Sequence, residues 1–448
     1  MNLKHKRLEL LLNKVLCSHD IPGLAVEVRH EGRSIFSFGL GIGDVSPRHF
    51  VCNDTIFGVA SLTKMVTAII ILQAQENKLL TLSDPVSQYY PNLKCVQNTD
   101  IQVKHLLNHS SGLPGLSSRH HATNLNDPKS NNQLLTAYDL VNYLNNLNFQ
   151  MLAGPGQILS YSNEGFCLLG GIIENIYNKP YPIIVKELIF DPLRMTRSFI
   201  GQEQQDAFQN LTKAFISWGN GANPKQENYW DSPLFYSAGG LMTTVSDMTL
   251  LISELNGVQD LLTYNQQEQL LSGSISVASR CSKKYAYSYG VEIDRLDSEN
   301  TLFWHTGERP GISSFVGNII ERRLSVALFA NIADVPTSAI GRKIFLEVLG
   351  NEIDSEKLVW PPRGKCFLIK RHFLKKFEGL YSSLEMGDYR VSIAGEKLLL
   401  HSRGSIDEFR FANLYSGSVA EKTFKFLCNN DEKSYALALD LRVICRGH

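Results

Sequence analysis

No two cysteines in this chain stand in a C-x-x-C arrangement. The eight are scattered, at Cys17, Cys52, Cys95, Cys167, Cys281, Cys366, Cys428 and Cys445. Zinc-ribbon and thioredoxin-type readings therefore have no support, and free thiols of a reducing compartment are expected. Neither sign of charge dominates. Lys plus Arg and Asp plus Glu each number 44, so no long-range field recruits nucleic acid or an anionic membrane. Long apolar runs are also missing: the longest, residues 65–72, is far short of the roughly 20 residues of a membrane span. Residues 2–20 carry Lys4, Lys6, Arg7 and Lys14 around one short apolar stretch, where an export signal needs about 7–15 apolar residues and a cleavage site. The expectation is a cytoplasmic chain acting on a small, roughly neutral molecule.

What is present is the balance of a folded protein, with 43% hydrophobic and 20% charged residues. A length of 448 residues suggests two or three packed units. An amphipathic helix is predicted over residues 3–19. Alternating stretches at 23–29 and 34–38 flank the turn residues His30-Glu31-Gly32 and read as a hairpin. From about 62 to 255 the apolar spacing becomes helical, at 65–75, 136–147, 165–177 and 244–255. Strand patterns return at 288–294, 302–304, 313–320 and 324–331, and a helix at 335–349 follows. The predicted class is α+β: an antiparallel sheet flanked by helices, with an all-helical lobe inserted and a small all-β barrel at the C-terminal end. The predicted domains are residues 1–352, a Pro/Gly linker at 353–364, and 365–448, where short strands are predicted about every ten residues, at 379–382, 388–394, 398–402, 408–412, 422–428 and 435–441.

Ser61-Leu62-Thr63-Lys64 is the one S-x-x-K in the chain. It follows a β-type stretch and opens the most hydrophobic helix. Residues three apart on a helix share a face, so Lys64 can lie beside the Ser61 hydroxyl. A serine is a poor nucleophile until a neighbour takes its proton, and a desolvated lysine can serve. Alone, the tetrad reads as well as a capping serine with a solvated lysine. Y-x-N occurs at Tyr90-Asn92, Tyr143-Asn145 and Tyr161-Asn163. The third follows the turn Gly154-Pro155-Gly156, where Tyr161 could relay a proton and Asn163 bind a substrate amide; the other reading of Asn163 is a helix cap. His305-Thr306-Gly307 falls between two predicted strands, on an expected exposed sheet edge. There the amide of Glu308, with that of Ser61, could donate to an oxyanion. His105 and His109 stand four apart without the intervening Glu of a metalloprotease helix, and no metal or cofactor is predicted.

Together, Ser61-x-x-Lys64, Tyr161-x-Asn163 and His305-Thr306-Gly307 resemble, in order and separation, the active-site elements of class C β-lactamases, DD-peptidases and related esterases. Residues 106–113 and 237–247 resemble the same family, and the C-terminal unit is similar to a barrel appendage on some members. The resemblance implies acyl transfer through Ser61, helped by Lys64 and Tyr161, on an amide or ester. Asn163, His305, Thr306, Gly307 and Glu308 would bind the substrate. β-Lactamase members usually carry Lys-Thr-Gly as the third element. His305 in that place, mostly neutral at pH 7, and Glu308 beside it argue for a peptidase or esterase whose substrate lacks a carboxylate there or carries an amine. An acyltransferase, a β-lactamase and a non-catalytic binding protein are the rival readings. Oligomeric state is not legible.

Overall fold

The computed structural model describes the chain apart from residues 1–2, 47, 98, 117–133, 202–209, 220–223, 228–231, 258–260, 279–284, 351–368, 403, 413, 420–421, 430–433 and 447–448. The predicted linker at 353–364 lies outside the described residues. The chain separates into two compact units, each assembled from distant stretches. One comprises Met1–Thr81, Leu169–Ser272 and Tyr289–Trp360; the other comprises Leu82–Leu168, Gly273–Ser288 and Pro361–His448.

In the first unit an antiparallel sheet runs in the order Arg48–Phe50, Arg33–Val45, Gly23–His30, Leu324–Ala330, Ile312–Ile319, Thr301–Arg309, Glu292–Arg295. The first and last parts of the unit meet where Val26 opposes Leu328. The spacing of Leu8, Leu12 and Val15 lines one stripe of the helix Leu3–Ser18. That stripe packs with Val26, Val28, Trp304 and Ile344 in a single core. Each such side chain contributes about 1.5–3 kcal/mol when fully buried. The helix Thr337–Leu349 joins the same core and brings in Arg342, whose Nη1 donates to Asp294 at 2.8 Å and whose guanidinium lies 4.9 Å from the Trp304 ring centre. A buried arginine needs such a partner, because an unpaired charge there costs several kcal/mol. The pair ties Glu292–Arg295 and Thr301–Arg309 to the helix behind them.

Thr63–Glu76 is buried on nearly every side, as its all-round hydrophobicity requires. Tyr236–Gly239 packs against it. The helix Val245–Ser253, capped by Thr244, which accepts from the Asp247 amide at 3.1 Å, packs instead on the strand Leu324–Ala330.

The second unit holds the helix Ala137–Asn146, opened by a reciprocal capping pair: Thr136 accepts from the Asp139 amide and the Asp139 carboxylate accepts from that of Thr136. Among its described residues nine strands form a nearly closed barrel. In order they are Ser405–Glu408, Lys397–Ser402, Gly387–Ala394, Gly379–Ser383, Arg442–Arg446, Ser434–Leu439, Lys422–Cys428, Ser416–Val419 and Arg410–Phe411. Aromatic side chains fill it; Phe377 and Phe426 stack 4.2 Å apart, with Phe409, Phe411 and Phe424 around them.

Two differences from the sequence expectation have local causes. The stretch 408–412 is two strands broken at Phe409, whose ring turns into the core. The strand expected at 435–441 ends at Leu439 because Asp440 takes a φ of 46°. The chain then reverses and Arg442–Arg446 pairs back onto it.

Candidate active site

Ser61 sits in the 3-10 turn Ala60–Leu62 that leads into Thr63–Glu76. Ala60 has a φ of 46°, a conformation that costs a non-glycine residue energy and clusters at functional sites. The turn is held by Thr63, whose hydroxyl donates to the Ala60 carbonyl at 2.7 Å and accepts from the Leu241 amide at 3.0 Å. Ser61 itself makes no cap bond: neither helical segment has a side-chain cap. Its hydroxyl instead accepts from Lys64 Nζ at 3.1 Å. Lys64 is fully buried and also donates to the Ala238 carbonyl at 2.7 Å. The solvated-lysine reading of the tetrad therefore does not describe this side chain.

The H-T-G element does not fall between strands, as its sequence suggests, but inside one, Thr301–Arg309, paired with Ile312–Ile319 along its length. On the other side the pairing with Glu292–Arg295 stops at Trp304, one residue before His305. His305 is 2% exposed, and its Nδ1 lies 2.6 Å from the Thr306 carbonyl oxygen. The apolar spacing ended at Trp304, which hid the strand's continuation through polar residues.

A side chain on Gly307 would overlap the Val59 carbonyl oxygen. Glycine here lets the strand lie against the turn that carries Ser61. The same contact is fastened by Ser314, directly opposite Gly307, which donates to the Val59 carbonyl at 2.9 Å. Strand alternation puts His305 and Arg309 on the Gly307 face, and Thr306 and Glu308 on the other.

Arg309 is the residue that sequence reading passed over. A Cβ on Gly239 would stand 3.3 Å from its Nη2 and 3.6 Å from the Ala60 carbonyl carbon, so the guanidinium borders the serine turn. The signal was its place two residues after Gly307. The end of this strand, with Glu308, Arg309 and Pro310, lines a cavity of about 460 Å³ together with Phe215, Ile332 and Asp334.

Tyr161 and Asn163 belong to the second unit. Tyr161 is 5% exposed, its ring 4.1 Å from that of His109 and at right angles to Tyr287 at 6.0 Å. His109 supports this loop in two ways: its carbonyl accepts from the Ser160 amide at 2.9 Å, and its Nδ1 accepts from the Ser162 amide at 3.2 Å. Asn163 begins the helix Asn163–Tyr177 and is half-buried. The capping duty considered for it falls to Ser162, whose hydroxyl accepts from the Gly165 amide at 3.3 Å and donates to Glu164 at 2.9 Å. The six cysteines among the described residues are free thiols. Among the described residues no helix is long and apolar enough to cross a membrane.

An antiparallel sheet flanked by helices, with a lysine-paired serine at the mouth of its most buried helix, matches the family described as Beta-lactamase over residues 7–348, and the chain belongs to that family. Protein flp of Staphylococcus aureus (strain MRSA252) is 25% identical over 337 residues, a match covering 74% of this chain and 64% of that protein. The chain thus spans less than two thirds of this relative's length. In fold it is similar to the octameric penicillin-binding protein homologue from Pyrococcus abyssi, with a TM-score of 0.69, 22% identity and coverage of 98% and 99% of the two chains. It is also similar to the D-amino acid amidase from Ochrobactrum anthropi SV3, with a TM-score of 0.62, 21% identity and coverage of 76% and 96%.

Proposed function

We propose that this protein is a serine hydrolase that cleaves an amide or ester through an acyl-enzyme on Ser61. The observation that carries the reading is the fully buried Lys64 ammonium donating to the Ser61 hydroxyl at 3.1 Å. Burying a lysine is costly unless it has work or partners, and here one partner is a hydroxyl on a strained turn.

With Lys64 as an ammonium, its donation to Oγ stabilises the alkoxide. In this reading the base is then Tyr161, which the family resemblance names with Lys64 as a helper of the serine. As phenolate it accepts the Ser61 proton while Oγ bonds to the substrate carbonyl carbon. The amides of Ser61 and Glu308 are assigned the oxyanion. When the carbon–nitrogen or carbon–oxygen bond breaks, the Tyr161 proton passes to the leaving group. Water then releases the acyl group along the reverse route. Asn163 is assigned to a substrate amide, and His305, Thr306 and Gly307 to the wall of the site.

Intact-mass measurement after a fluorophosphonate tests the reading. One adduct is expected, mapping to Ser61 and absent in Ser61→Ala. Lys64→Met should form it roughly 100- to 1,000-fold more slowly, the usual loss when a donor that stabilises developing negative charge is removed. No adduct at Ser61 would remove the hydrolase reading. With His305 where β-lactamases carry lysine, penicillin turnover is expected to be slow or absent.

A further inference from the structure

The barrel reaches Tyr161 through one turn. Asp440 and Leu441 join the strands Ser434–Leu439 and Arg442–Arg446. This turn is fixed within the barrel, since Asp440 Oδ1 accepts from both the amide and the hydroxyl of Thr423, each at 2.9 Å. It is also fixed to the tyrosine loop. The Leu441 carbonyl accepts from the Tyr161 amide at 2.7 Å, and the Val443 amide donates to the Ser160 hydroxyl at 3.3 Å. Between these two bonds stands Arg442, its guanidinium carbon 4.3 Å from the Tyr161 ring centre. The guanidinium is aimed by Glu385, on the turn after Gly379–Ser383, which accepts from Nε at 2.9 Å and from Nη2 at 2.8 Å. Such a fork-to-carboxylate pair fixes the plane of the cation as well as its distance.

From this placement we infer that Arg442 is a positioning residue of the barrel that favours the phenolate form of Tyr161 and so sets the pH at which the serine is activated. The inference rests on the base role proposed above for Tyr161. A cation within about 4–6 Å of an acid stabilises the ionised form and lowers its pKa by about 1–3 units. Here Glu385 offsets part of the charge, so the effect belongs at the lower end. The groups facing the ring within this unit include His109 from its loop, Tyr287 from the strand Tyr285–Tyr287, and Arg442. Of these, Arg442 carries a fixed charge; Glu385 and Glu164 are the acids that act through it. The reciprocal effect runs the same way. Burial works against the Arg442 charge, but Glu385 and, behind it, Tyr161 and Glu164 hold the guanidinium above its ordinary range.

The test is the pH profile of kcat/KM for an activated ester. In Arg442→Ala the acidic limb should move up by about one pH unit, a roughly tenfold loss on the limb that vanishes at high pH. Arg442→Lys should move it less. Glu385→Gln removes the offsetting charge and should move it down, a direction that mere loosening of the loop would not produce; it also serves if Arg442→Ala does not fold. A Tyr161→Phe variant separates the two claims. If it keeps full activity, the base role fails and the inference with it. If it is inactive while the limb stays fixed in the Arg442 and Glu385 variants, the base role stands and the inference alone is overturned. A rise in KM without a moved limb also overturns it, and makes Arg442 a contact for a substrate anion.

Discussion

Ser61 and Lys64 are brought together by a single turn of chain, whereas Tyr161 is enclosed by His109, Tyr287 and Arg442, which come from three separated stretches. The first arrangement needs only helix geometry, the two hydrogen bonds of the Thr63 hydroxyl and a glycine where the neighbouring strand approaches. The second depends on whether a loop, a short strand and the turn of a barrel all fold onto one ring. Reactive groups of the serine side are thus set by nearby hydrogen bonds, and those of the tyrosine side by burial among distant residues. Activity on the serine side should be lost through local crowding. The tyrosine side should lose it by degrees, as separate supports are removed.

The largest effect is expected at Gly307. Gly307→Val places a side chain where the Val59 carbonyl oxygen already stands, and backbone has no room to yield. Overpacking of this kind costs about 1–3 kcal/mol. A displacement of the serine turn by an ångström would slow acylation on the order of 100-fold. Denaturant unfolding and fluorophosphonate labelling rates measure the two. Unchanged labelling would mean that the strand does not position the serine, and the contrast drawn above would lose its first half.

A smaller effect is expected on the other side, at Gly115. A Cβ there would overlap Glu385 Oε2, and that carboxylate is held by two bonds from Arg442. Gly115→Ala should therefore cost about 1 kcal/mol, the net worth of one strained hydrogen bond. Most of that cost should vanish in a Glu385→Ala background, because neighbours that share a partner are not additive. Full additivity would show that Gly115 and Glu385 do not meet.

The same contrast decides what could be read from the sequence. Ser61 and Lys64 were legible because their spacing alone places them on one helical face. The core helices and the sheet of the first unit were legible from periodicity, as with Leu8, Leu12 and Val15. The continuation of Thr301–Arg309 through His305 was not, since alternation fades when a strand is covered on both faces. Arg442 was invisible for another reason. It lies just beyond an expected strand, and the turn that aims it depends on Asp440 at positive φ, where Asn and Gly are the residues that usually announce a reversal. No local pattern tells that a barrel turn will meet residue 161.

An effect outside the active site concerns two thiols, and it carries the comparison away from the chemistry. Cys52, exposed in the first unit, is subject to some burial. However, Thr55, three residues on, donates to its sulfur at 3.5 Å and Asn210 at 3.1 Å, and with the Asp54 backbone these bonds bring its pKa below the ordinary value. Cys95, in the second unit, has mainly burial around it, which pushes its thiol up to about 11. The thiolate is the form that reacts. Near neutral pH, iodoacetamide should therefore alkylate Cys52 first, with Cys95 lagging roughly 100-fold behind an ordinary thiol. Raising the pH toward 11 should close the gap, because each unit below its pKa costs Cys95 a factor of about ten in thiolate. Peptide mapping across that range follows both sites in one sample. Equal rates at neutral pH would mean that the hydrogen bonds at Cys52 and the burial at Cys95 do not differ in consequence, and that local bonding and distant burial are not separate means of setting reactivity in this fold.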